Sequence, residues 1–75
     1  MSKRDPTLAA FGLNVRRNRE KKDLTQEGLG EKANLDQTYI SGIERGVRNA
    51  SLLSLTRVAK GLGVPLSRLC EGVAA

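Results

Sequence analysis

The side chains best placed to do chemistry in this 75-residue chain lie in one run, Asp36-Gln37-Thr38-Tyr39-Ile40-Ser41-Gly42-Ile43. Ile40 and Ile43 stand three apart and anchor one face of a helix, which leaves Gln37, Thr38 and Ser41 on the polar face. One amide and two hydroxyls, with no bulky apolar neighbour among them, suit hydrogen-bond readout of base edges. A glutamine can address N6 and N7 of adenine together, and a threonine can donate, accept or pack its methyl on thymine. The residues for other chemistries are missing. With no histidine, the usual imidazole acid–base catalysis is unavailable. With one cysteine, Cys70, there is neither a Cys/His zinc set nor an intrachain disulfide framework. No enzymatic activity, metal or cofactor is expected, and Cys70 is expected to be a small buried hydrophobe.

The charge points the same way. Thirteen Lys and Arg against eight Asp and Glu give +5 and a pI near 10.0, which suits a polyanionic partner. The excess is confined to residues 1–22, where Lys3, Arg4, Arg16, Arg17, Arg19, Lys21 and Lys22 face only Asp5 and Glu20. The remaining residues are electrically neutral. The basic helix has no Trp/Phe-rich apolar face for a membrane surface. No stretch is long and apolar enough to span a bilayer, and no apolar signal-peptide core follows the Ser-Lys-Arg-Asp-Pro start. The expectation is a soluble, cytoplasmic binding module of one domain, residues 1–75, with residues 1–6 as a flexible arm. An effector domain is not expected, so no small-molecule ligand is either. Regulation would then come from protein concentration and cooperative occupancy.

Helical spacing dominates the elements that must position the polar run, and strand alternation is absent. Leu8, Phe11 and Val15 predict a first helix from Pro6 to Lys22, with Pro6 in the first turn where its missing N–H is harmless. Thr25 can cap a second helix through Lys32 that buries Leu29 and Ala33, and Asn34 suits a left-handed turn. Asp36 can cap a third helix through Arg45, ended by Gly46. Ser51 can cap a fourth to Leu62, with Leu52, Leu55, Ala59 and Leu62 inward and Gly63 as its stop. Val64-Pro65 opens a last short helix carrying Leu66, Leu69 and Cys70. This is an all-α, five-helix domain. Two short capped helices joined by the tight turn Ala33-Asn34-Leu35 have the geometry of a helix-turn-helix, whose second helix enters the major groove with its N-terminal side chains against base edges.

The words Thr25-Gln26-Glu27-(x)-Leu29 and Tyr39-Ile40-Ser41-(x)-Ile43-Glu44-Arg45-Gly46 resemble the Cro/CI (XRE) helix-turn-helix regulators of phages and bacteria, over about Phe11 to Leu69. Within that family, the stretch Leu35 to Asn49 is most similar to the controller proteins of restriction–modification systems. The resemblance implies a five-helix lambda-repressor-like fold and double-stranded DNA as partner. At matching positions it implies that Gln26 clamps a phosphate and buttresses the third helix. Gln37 takes the first base-reading position, Thr38 and Ser41 face the groove, and Tyr39 touches the backbone. Arg48 touches the operator from the loop beyond, and Asn49 beside it is counted with the DNA-binding set. The chain departs from the family at Gly28, Gly30 and Ala50, where Glu, Ala and Pro are usual. Each glycine should cost the second helix roughly 1 kcal/mol relative to Ala. A controller would activate its own and the endonuclease gene at low occupancy and repress at high occupancy. A phage-type repressor, an antitoxin regulator and a protein–protein adaptor that reuses the fold without DNA are the alternatives.

Two further expectations come from spacing and composition. Arg19 lies four residues past Val15 and Glu44 four past Ile40, each on an apolar stripe. A charge there is costly unless paired, so Arg19 and Glu44 are expected to form an ion pair between the first and third helices. The core of so short a chain is marginal, and the apolar residues exceed what five short helices can cover. The surplus predicts a homodimer through Leu53, Val64, Leu66 and Leu69 on a pseudo-palindromic operator. Arg45 is expected to answer the helix dipole.

Overall fold

The computed structural model describes residues 5–73. Among them are five helices and no strand: α1 (Pro6–Lys21), α2 (Gln26–Ala33), α3 (Gln37–Glu44), α4 (Leu52–Leu62) and α5 (Leu66–Leu69). Local chemistry sets each boundary within a residue or so of expectation. The Asp5 carboxylate accepts from the Thr7 and Leu8 N–H groups at 2.8 and 3.4 Å, and Pro6 opens α1. That cap makes Asp5 and Pro6 part of the helix start, against the expected arm; residues 1–4 lie outside the described residues. Thr25 Oγ1 caps α2 through the Gly28 N–H at 2.9 Å, and Asp36 caps α3 through the Thr38 N–H at 2.7 Å. Between them Asn34 takes the left-handed conformation at φ 58°, ψ 46°, a region that Asn tolerates better than most side chains. The Ser54 N–H donates to Ser51 Oγ at 3.1 Å to start α4, and Gly63 at φ 72° stops it. The single turn of α5 has no side-chain cap but is held from afar. Asn14 on α1 donates through Nδ2 to the Leu69 and Glu71 carbonyls at 2.9 and 2.8 Å.

One core gathers Phe11 and Val15 of α1, Leu29 of α2, Ile40 and Ile43 of α3, Val58, Ala59 and Leu62 of α4, and Leu69 of α5. Three expectations change here. Leu52 is 68% exposed, because the first turn of α4 runs past the end of the core; Val58, unforeseen, is fully buried in the 58/59/62 stripe. Cys70 is exposed. It caps the C-terminus of α5 one residue past Leu69, and a step of about 100° along a helix turns it away from the core. Leu69 itself has 0% of its surface exposed, so it completes its own protomer's core and leaves the expected dimer set.

The third helix, α3, is fixed against α1 by two devices. The first is contact close enough to exclude a side chain. A Cβ on Gly12 would lie only 2.2 Å from the Ile43 carbonyl oxygen and 2.7 Å from that of Glu44. Gly30 serves the turn in a similar way: a Cβ there would meet the Leu35 carbonyl oxygen at 2.6 Å, so this glycine offsets its helix penalty by closing the turn.

The second device is the ion pair. Arg19 Nε and Nη2 reach Glu44 Oε2 and Oε1 at 2.6 and 3.0 Å, a two-point pair. Arg19 Nη1 also donates to the Leu24 carbonyl at 2.8 Å, and Gln26 Nε2 donates to Glu44 Oε1 at 3.0 Å. One carboxylate thus gathers α1, α2 and α3. Its side chain is 3% exposed and that of Arg19 12%. The hydrogen bond to Glu44 outweighs burial and holds the Arg19 guanidinium above its ordinary pKa, so it stays charged throughout the working range.

Glu44→Ala should lower stability to urea by about 3 kcal/mol, because it strands a nearly buried guanidinium. Replacing both partners, Arg19→Met with Glu44→Leu, should cost clearly less. A single variant no worse than the exposed Glu27→Ala would contradict the pair's role. Gly12→Ala should also destabilise, by about 1–3 kcal/mol, through backbone overpacking; an unchanged denaturation midpoint would mean α1 and α3 are not held so closely.

Candidate nucleic-acid interface

With α3 clamped from below, its free face presents the polar run. Gln37 and Thr38 are exposed on the first turn, and Ser41 is half-buried one turn further on. Ile40 and Ile43 hold the other face in the core, so the amide and hydroxyls are displayed on a helix that cannot roll. The Asp36 carboxylate is committed to the Thr38 N–H at the helix start. Gln26 opens α2 half-buried, and its amide donates to Glu44; the buttressing half of its implied role is visible as that bond. Thr25, Gln26, Gln37, Thr38 and Ser41 therefore belong to one rigid unit, two helices and a turn, set by caps at each start.

Tyr39 and Arg48 come together in a way that sequence reading missed. Tyr39 is half-buried, its ring packed against the core, and the Arg48 guanidinium carbon lies 4.8 Å from the ring centroid. That is a cation–π stack across nine positions of sequence, in which neither residue alone signals the other. Asn49 is exposed beside Arg48 in the loop that follows α3. Arg45 is the exposed C-cap of α3. The basic segment is partly self-compensated: Arg16 pairs with Glu20 at 3.2 Å on the solvent side, and Arg19 belongs to the buried pair. Lys3 and Arg4 lie outside the described residues.

The expected contact surface between copies is only partly free. Leu53 is 62% exposed on the first turn of α4, next to Leu52. Val64 and Leu66 are half-buried against the core. Leu8, Phe11, Leu52, Leu55, Leu66 and Val73 line an apolar groove of about 250 Å³ between α1, α4, α5 and the loop after α3, with Arg48, Asn49 and Cys70 also on its wall. No described helix is long and apolar enough to cross a membrane.

Comparison with known proteins matches residues 15–69 to a helix-turn-helix family model. The control protein C.MunI of a Mycoplasma species is 47% identical over 64 residues, 84% of this chain and 86% of that protein. The crystal structure of the restriction–modification controller protein C.AhdI from Aeromonas hydrophila superposes with a TM-score of 0.81 at 39% identity, covering 83% of this chain and 94% of the other. The controller C.Esp1396I bound to a 19-base-pair DNA duplex gives a TM-score of 0.83 at 40% identity over 92% of each chain. The same controller has also been crystallised as a tetramer on its natural 35-base-pair operator. A five-helix fold, a clamped α3 with a polar first turn and these likenesses together make the chain a member of the Cro/CI (XRE) helix-turn-helix family, similar to restriction–modification controller proteins.

Proposed function

We propose that this chain is a sequence-specific DNA-binding transcriptional regulator, without enzymatic activity, that acts in the cytoplasm as the controller of a restriction–modification system. The observation that carries the reading is the exposed amide–hydroxyl turn of α3, held rigid from beneath by Glu44, Arg19 and Gln26. A rigid helix can present bidentate donors and acceptors to a base edge without first being ordered, so most of its binding energy goes into discrimination. In this reading Gln37 pairs with an adenine. Thr38 and Ser41 face the groove floor, while Gln26, Tyr39, Arg48 and Asn49 hold the phosphate backbone on either side. Residues 1–75 act as a single domain.

The chain works as a homodimer on a pseudo-palindromic operator, and its contact surface is the exposed start of α4 with the half-buried strip formed by the α4–α5 turn and the start of α5: Leu52, Leu53, Val64 and Leu66. Exposed leucines beside an apolar groove on so small a protein favour burial against a second copy. A two-fold arrangement sets the recognition helices about 34 Å apart, one turn of B-DNA. Transcription then answers to protein concentration through the monomer–dimer and dimer–operator equilibria.

Binding is measured on a cognate duplex selected from a random-sequence pool, on base-substituted versions and on random DNA, each at several salt concentrations. Gln37→Ala should cost about 1–3 kcal/mol on the cognate site and relax preference at one base pair per half-site. Arg48→Ala should weaken cognate and random DNA alike and shallow the salt slope by about one unit per site. Equal losses on all three duplexes for Gln37→Ala would remove it as a base reader. Absence of salt-sensitive binding to any of the duplexes would favour a protein–protein adaptor. Leu53→Glu should shift the protein to monomer in equilibrium sedimentation and weaken operator binding with it; a wild-type monomer at tens of micromolar (with and without operator) would refute the dimer.

A further inference from the structure

Arg48 lies beyond the end of α3, yet its guanidinium stacks on Tyr39, in the first turn of that helix. To get there the side chain must run back across the helix, and the residue it crosses is Gly42. The loop is folded over this point by its backbone: the Val47 and Arg48 N–H groups both donate to the Gly42 carbonyl, at 3.1 and 3.2 Å. A Cβ on Gly42 would lie 3.2 Å from Arg48 Cβ, which would have to give by a few tenths of an ångström, while Arg48 Nε at 3.7 Å and Val47 Cγ2 at 4.0 Å would be in ordinary contact. Gly42 is buried beneath this crossing, in a helix interior where glycine is otherwise unfavourable. Among the described residues no carboxylate lies within 4 Å of Arg48, whereas Arg16, Arg19 and Arg68 each have one. A guanidinium stacked on a ring keeps its N–H edges open to an anion.

We infer that Gly42 is a positioning residue for DNA binding: it lets Arg48 lie across α3 and stack on Tyr39, so that the cation is ordered over the first turn of that helix before DNA arrives. This rests on the proposed reading of α3 as the DNA-facing helix. A free arginine loses rotamer freedom when it seizes a phosphate, and an arginine already laid against a ring has less to lose. Glycine at position 42 therefore acts through Arg48 and needs no contact with DNA of its own.

The stack has a signature in the free protein. The Arg48 δ and ε protons should be shifted upfield by the ring of Tyr39, the only tyrosine in a chain without tryptophan. Tyr39→Phe should keep the shift and Tyr39→Leu abolish it, which assigns it to that ring. Gly42→Ala should push Arg48 off its closest approach to the ring and clearly reduce the shift while melting no lower than wild type, and should bind the selected operator about three- to tenfold more weakly. In the Arg48→Ala background the same substitution should cost nothing further. Full retention of the shift and of affinity in Gly42→Ala would overturn the inference, as would an equal additional loss in the Arg48→Ala background. If Gly42→Ala reduces the shift but Arg48→Ala leaves operator binding unchanged, the stack is real and its use in DNA binding is refuted. Failure of the wild-type protein to bind any selected duplex would overturn the functional reading itself, whatever the shift shows.

Discussion

Glu44 is one carboxylate at the last position of the recognition helix, and three helices close on it. Arg19 approaches from α1 with two nitrogens and Gln26 from the start of α2 with one. A nearly buried charge in a protein this small is tolerable only when its lone pairs are filled, and here four polar contacts, counting the Arg19 bond to the Leu24 carbonyl, complete the cluster. No buried side-chain nitrogen or oxygen among the described residues is left without a partner. The consequence is directional. The packing of Ile40 and Ile43 already resists rolling, and the two-point guanidinium–carboxylate pair adds a directional constraint on angle and register.

On the proposed function that orientation matters, because the chemistry offered to the groove is small. Gln37, Thr38 and Ser41 offer a handful of hydrogen bonds, each useful only within a few tenths of an ångström and about 30° of its ideal geometry. The clamp, the Gly12 contact beneath it and the caps at Thr25 and Asp36 all reduce the freedom of the helix that carries those groups. In the proposed reading stability and readout therefore share residues, and substitutions at Arg19, Gln26 or Glu44 would bear on both. The apolar groove and the start of α4 play no part in this clamp, which leaves them available for contact between copies.

Much of this was legible in the sequence because it depends on local chemistry. The capping residues Thr25, Asp36 and Ser51, the left-handed Asn34 and the stop at Gly63 act within a few residues of themselves, so their positions set the helix boundaries closely. The Arg19–Glu44 pair was legible for a different reason: a charge on an apolar stripe needs a partner, and the chain offered one on each of two packed helices. What depends on three-dimensional approach was hidden. Nothing in the spacing says that Asn14 reaches the end of α5, that Gly12 meets a carbonyl, or that Arg48 folds back to Tyr39. Errors clustered where helices end. Leu52 and Cys70 carry the right residue type for the core, but one sits on a turn that overruns it and the other one step beyond Leu69.

If α3 is a preformed reading head, its clamp does not change when DNA binds. Amide and arginine Nε resonances of the labelled protein, followed while an operator duplex is added, test it in one titration. The largest shifts should fall at the first turns of α2 and α3 and at Arg48 and Asn49, while the Arg19 Nε proton, held against Glu44, stays sharp and in place. Shifts confined to α5 and the C-terminal half of α4, or an Arg19 Nε signal that moves or disappears as DNA binds, would contradict it.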